Sequence, residues 1–321
     1  MDSSETKSVA SGVSSGFTAL IFMSLLLAAC QAVKVKKAAP IVVSGFFTPE
    51  SVIADPAGKR FFVSDIGPAI EMSAKDGDGY ISELSPEGEI LHKRYLPKSG
   101  VLNAPKGMAI IGNTLYVADI DRIVAFDLTT RDEVFELDFS SEKTVFLNDL
   151  AVFDDHTLFV SSTDTGKIYK VSLGHRPEFS VLAEGILGAN GLYYDKKGNR
   201  LFVVGFGKGF IEANGEVGVI RLAVVDGRLA GGERKYQKFP GVSGAFEGVA
   251  LLPDDRLVFS DWTASGKPGV MRVYDLNTGE LSVFKLSEDI RGLADFFYDR
   301  DTGKLWLPNM MDGKILIENA R

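Results

Sequence analysis

Cysteine occurs once in the 321 residues, at Cys30, so no disulfide can form within the chain. Histidine occurs three times, at His92, His156 and His175, which leaves little from which to build a zinc or copper site. Basic residues are outnumbered: 35 Lys and Arg stand against 43 Asp and Glu, for a net charge of -8. Such a balance argues against a nucleic-acid partner, which calls for a basic face. No long stretch repeats its apolar residues at helical spacing, which excludes a helical solenoid. A Gly-x-Ser-x-Gly elbow, a phosphate-binding loop and a Cys–His pair are also missing, which disfavours serine-hydrolase and nucleotide chemistry.

The long apolar run that is present lies at the N-terminus, 17–30 (FTALIFMSLLLAAC). It has the length of a signal h-region and ends in small residues, so residues 1–30 are expected to be a targeting segment. Leu27, Ala28, Ala29 and Cys30 resemble the lipobox of bacterial lipoproteins. That resemblance implies lipidation of Cys30, a tether over 31–39, and a place on the periplasmic side of a bacterial cell envelope. Membrane contact would then run only through the lipid anchor.

The remainder is repetitive. A two-strand pattern recurs at 50–65 (ESVIADPAGKRFFVSD), 106–119 (KGMAIIGNTLYVAD), 148–161 (NDLAVFDDHTLFVS), 190–205 (NGLYYDKKGNRLFVVG), 247–261 (EGVALLPDDRLVFSD) and 291–306 (RGLADFFYDRDTGKLW). Apolar runs rich in Val, Leu and Phe flank Asp-, Gly- and Asn-bearing turns, which is a β-hairpin in outline. A third strand follows each hairpin and a fourth follows most, as at 89–94 and 281–284. Four short strands per unit, with units spaced roughly 40–60 residues apart, mark a β-propeller blade. The expectation is therefore an all-β domain over 40–321, a six-bladed β-propeller of four-stranded blades. The last copy is one strand short, and 39–46 (APIVVSGF) is a strand without a blade. Joining the two closes the circle and removes exposed sheet edges. A monomer is expected.

First strands of propeller blades line the central channel. The six openings read Glu50, Lys106, Asn148, Asn190, Glu247 and Arg291. Two carboxylates and two amides about one axis are hard oxygen donors of the kind Ca²⁺ prefers. None of the three histidines falls on such a position.

In order and blade by blade, Glu50, Asn148 with Asp149, Asn190 with Gly191, and Glu247 with Gly248 resemble the calcium-site pattern of the senescence marker protein/gluconolactonase/regucalcin family, related to the paraoxonases. The resemblance implies a Ca²⁺-dependent hydrolase of lactones or related esters acting on a small molecule. It makes Glu50, Asn148, Asn190 and Glu247 the metal ligands, Glu50 or Glu247 the general base, and Asp149 an orienting group. The chain departs from the pattern at Glu247, where the family has Asp, and in lacking a proton-transferring histidine. Lys106 and Arg291 also enter the ring. With them the ring sums to zero charge, so a metal-free, ion-paired channel accounts for the pattern as well. In a third reading, Lys106 and Arg291 face an anionic ligand such as an aldonate. A non-catalytic propeller of the NHL kind, binding a protein or small anionic ligand at its face, is the alternative to the enzyme.

The Asp that recurs at the end of strand two (Asp65, Asp119, Asp261) is expected to cap a turn. Trp262 and Trp306 are expected to pack between blades. The Gly-rich insertions at 206–217 and 263–268 are placed to shape a pocket mouth.

Overall fold

The computed structural model describes residues 39–210, 212–231, 234–263 and 267–320. The targeting segment, Cys30 and nearly all of the tether lie outside the described residues. By its contacts the chain divides into Met1–Lys37 and Ala38–Arg321, and the second unit is the propeller. Among the described residues no helix is long and apolar enough to cross a membrane.

Six antiparallel four-stranded sheets follow one another along the chain. Their innermost strands are Pro49–Ala54, Pro105–Ile111, Leu147–Asp154, Ala189–Asp195, Phe246–Leu251 and Phe297–Asp299. Blade four carries an extra hairpin, Val224–Val225 with Arg228–Leu229, that the repeat pattern does not announce. Inner strands are buried on both faces and read as near-continuous apolar runs, as in Phe61–Asp65 and Thr157–Ser162. Outer strands such as Glu133–Asp138 alternate between exposed and half-buried, as expected where one face meets water.

The outermost strand of blade six comes from the N-terminus. Ile41–Ser44 pairs with Lys314–Asn319, Ile41 opposite Ile317 and Ser44 opposite Lys314. Closure shows equally in the packing, since an apolar cluster fills each junction between neighbouring blades. Phe62, Leu96 and Met108 join blades one and two. Phe61 and Trp306 join blade six to blade one, their rings stacked 3.8 Å apart and 12° from parallel. Trp306 is thus the inter-blade packing residue its sequence position suggests.

Candidate functional site

Strand register fixes which residues face the channel. In blades one to five, first and second strands pair on either side of a bulge, and the residue just inside it points at the axis. Glu50, Lys106, Asn148, Asn190 and Glu247 all hold this place. Blade six differs from expectation. Leu293 pairs with Asn309, as Phe246 pairs with Asp261, so the channel position falls to Ala294 and not to Arg291. The Arg291 side chain is largely exposed at the rim and forms an ion pair with Asp312.

The five polar ring residues are buried, from 1% exposed at Lys106 and Asn190 to 7% at Glu247. Several of their atoms lack partners. Glu50 Oε2 and Asn148 Oδ1 make no hydrogen bond, and neither does Asn190 Oδ1 or Nδ2 with good geometry. The Asn190 amide still lies near enough to Glu247 to favour its ionised form. Buried polar atoms are rarely left alone, so four on three positions of one ring ask for an occupant. Burial, with the charges of Glu247 and Asp295 adding, holds the Glu50 carboxyl well above the usual range. Glu247 is pushed up to about 8, again chiefly by burial.

Lys106 does not neutralise them. Its Nζ donates to the carbonyl oxygens of Met72 at 2.8 Å and Ala104 at 2.9 Å, and it lies 4.4 Å from the Phe146 ring centre. Among the described residues it forms no ion pair within 4 Å, and burial pulls its pKa down to about 8 against the attraction of Glu50. With Arg291 at the rim and Lys106 drawn aside, the channel has, among the described residues, no internal ion pair within 4 Å of the kind its sequence allowed.

One level deeper stand the residues that follow the ring. Asp149 accepts hydrogen bonds from the amides of Leu150 at 2.7 Å and Leu192 at 2.6 Å, which ties blade three to blade four. It is held by backbone, not by Asn148. Asp295 accepts from the Ser51 hydroxyl at 2.7 Å, and its own amide donates to the Glu50 carbonyl at 3.0 Å. Burial raises the carboxyl of Asp149 well above its usual value and that of Asp295 to about 6. Glycines make room for both: a Cβ on Gly107 would stand 2.4 Å from Asp149 Oδ1, and one on Gly248 equally close to Asp295 Oδ1. Asp295 escaped the sequence reading because the register of blade six was misplaced.

Four buried carboxyl groups therefore share one ammonium, a net charge of -3 when all are ionised. Such a channel must hold protons or a cation. Among the described residues no three His, Cys, Asp or Glu converge closely enough to hold a metal by themselves, so a cation here needs the amides. Two carboxylates with two amides, three of their oxygens without partners, fit a hard divalent ion.

The strand-two aspartates hold the ring strands in place. Asp65 accepts from the amides of Phe47 (2.8 Å), Thr48 (3.0 Å) and Gly67 (3.1 Å) and from the Tyr80 hydroxyl (2.8 Å). Asp119 binds the amides of Asn103 and Ala104, and Asp261 those of Ala245 and Thr263. Each clamps the loop that enters its own first strand and so aims the ring, while Asp65 and Asp261 also cap the turn into strand three through the amides of Gly67 and Thr263.

Above the ring opens a cavity of about 460 Å³ with Glu50, Asn148, Glu247 and Lys106 at its floor. Its walls include Met72, Phe146, Phe206, Trp262 and Met310. Trp262 meets Phe206 of the neighbouring blade edge-on at 6.2 Å, so it packs between blades four and five and lines the pocket as well. Phe206, the first residue of the blade-four insertion, lines the mouth as its place suggested.

No protein-family model matches the chain, and the search of curated proteins gave no match. Solved structures do resemble it. Virginiamycin B lyase from Staphylococcus aureus superposes with a TM-score of 0.58 at 12% identity, covering 87% of this chain and 98% of that one. A 6-phosphogluconolactonase-like protein from Bacteroides uniformis gives 0.53 at 14% identity, over 80% and 76%. The Swd1 propeller domain from Myceliophteria thermophila gives 0.56 at 10%, over 86% and 97%. At these identities the likeness shows the β-propeller fold alone.

Proposed function

We propose that the chain is a divalent-cation-dependent hydrolase of lactones or related esters, with Ca²⁺ as the cation. The observation that carries the reading is the set of unpartnered buried oxygens on Glu50, Asn148 and Asn190, beside Glu247, with Glu50, Asn148 and Glu247 lining an open cavity. Lactonase-like and lyase structures among the neighbours are consistent with chemistry at such a place.

Glu50, Asn148, Asn190 and Glu247 hold the cation, which when bound supplies Lewis-acid polarisation of the substrate carbonyl. Asp65 and its counterparts in blades two and five fix the strand entrances, so the donors are set before substrate arrives. A carboxylate, Glu247 or Glu50, takes the proton of the attacking water. The same proton then goes to the departing alkoxide oxygen as the acyl carbon–oxygen bond breaks. Asp149 and Asp295 stiffen the channel beneath. Lipidation at Cys30 and periplasmic tethering belong to the same proposal, and release of the chain from membranes by Cys30→Ala is their test.

The experiment is a lactone and aryl-ester panel assayed after chelation and after Ca²⁺ is returned. Turnover should vanish with the chelator and return with Ca²⁺, and Glu50→Gln should lower kcat/KM by about a thousandfold or more. No turnover under any condition would leave a non-catalytic binding propeller.

A further inference from the structure

The cavity above the ring says which lactones or esters fit, a point that rests on the hydrolase reading and narrows it. Its walls are Met72, Val145, Phe146, Phe206, Trp262 and Met310. The polar groups other than the floor oxygens are Ser73, Asp164, Lys106 and the indole N–H of Trp262, and two of the four are already engaged. Asp164 Oδ1 accepts from Thr144 and Ser162 hydroxyls at 2.8 and 2.9 Å, and Oδ2 from the Val145 amide at 2.8 Å. Lys106 spends its N–H groups on two backbone carbonyls and the face of Phe146.

A polyhydroxylated lactone entering here would shed water from its hydroxyls and find almost nothing to replace it. Each hydroxyl left unpaired costs binding about tenfold or more. An alkyl or aryl substituent incurs no such loss, and each methylene buried gains about fourfold. The volume of about 460 Å³ sits toward the low end of ordinary ligand pockets. We infer that the substrate carries an unsubstituted alkyl or aryl group lodged against Phe146, Phe206 and Trp262, with its carbonyl toward the ring. Sugar lactones and aldonates, which the four-residue ring pattern alone would admit, are disfavoured by the walls.

The two tryptophans make this testable without turnover. Trp306 is fully buried at the junction of blades six and one, whereas Trp262 lines the cavity. In Trp306→Phe protein with Ca²⁺ present, γ-nonalactone should shift Trp262 fluorescence saturably, half-saturating at about a hundredfold lower concentration than δ-gluconolactone. Phe146→Ala should weaken the γ-nonalactone response about tenfold and leave the gluconolactone response unchanged. If Trp306→Phe does not fold, the wild-type signal less that of Trp262→Phe gives the same reading. Equal or tighter binding of gluconolactone, or no effect of Phe146→Ala, overturns the inference. Absence of hydrolysis with selective γ-nonalactone binding would overturn the hydrolase reading and leave the apolar selectivity standing.

Discussion

Lys106 Nζ donates to the carbonyl oxygen of Met72 at 2.8 Å. That bond turns the one ring cation away from Glu50 and Glu247 and toward a loop of blade one. A cation site and a buried lysine can therefore share the channel, at some electrostatic cost to the ion.

Lys106→Met should lower that cost. Removing one nearby positive charge at an effective dielectric near 20 is expected to tighten Ca²⁺ binding by about tenfold. Titration calorimetry on the variant checks it; weaker binding would mean that Lys106 chiefly holds the loop over the site.

The raised carboxyls give a signed pH prediction for the cation-free protein. Burial pushes the folded-state pKa of Glu247 up to about 8, from the 4.5 of a free glutamate. The folded state thus binds more protons than the unfolded between these values. Stability is full below about pH 4.5 and declines as pH rises through 8, by a few kcal/mol. Glu50 and Asp295 act in the same direction. Lys106, pulled down to about 8, acts oppositely above that pH, where losing its proton relieves its burial. Urea midpoints without Ca²⁺ should therefore pass through a minimum near pH 8. Saturating Ca²⁺ should flatten the decline, because the bound ion stabilises the ionised carboxylates.

Asp65→Ala removes the acceptor of three backbone amides and the Tyr80 hydroxyl at a fully buried place. A loss of about 3–5 kcal/mol is expected, measured by urea unfolding, with Ca²⁺ affinity falling in parallel as the Glu50 strand loosens. A stability loss below about 1 kcal/mol would show that the clamp is dispensable.

Much of this was legible beforehand because propeller blades repeat. Five of the six channel positions followed from hairpin spacing, since each stands four to six residues before the end of its strand. Arg291 stands eight before Asp299, and that offset was the available warning. Its Arg-Gly-Leu imitates Asn190-Gly191-Leu192, yet pairing of Phe297 with Trp306 and of Leu293 with Asn309 sets the register. The direction of the Lys106 ammonium was not legible. It depends on carbonyls of Met72 and Ala104, and backbone acceptors leave no mark in a sequence. Trp262 lines the cavity besides packing against the neighbouring blade, because it follows its second strand, whereas Trp306 lies within one.

Closure of the circle by Ile41–Ser44 should matter energetically. Val43 is buried with Phe46, Ile315 and Ile317. Deletion through Ser44 uncovers the edge of Lys314–Asn319 and should cost about 3 kcal/mol or more, with dimers or aggregates appearing on size exclusion. An unchanged urea midpoint and a monomeric profile would show that the last blade closes without it.

Calorimetric titration of chelator-treated protein with Ca²⁺ tests the central claim most directly. One saturable site is expected, abolished by Glu50→Gln and by Asn190→Ala while both variants remain folded. No binding heat, together with a melting temperature indifferent to chelator and to Ca²⁺, would contradict it.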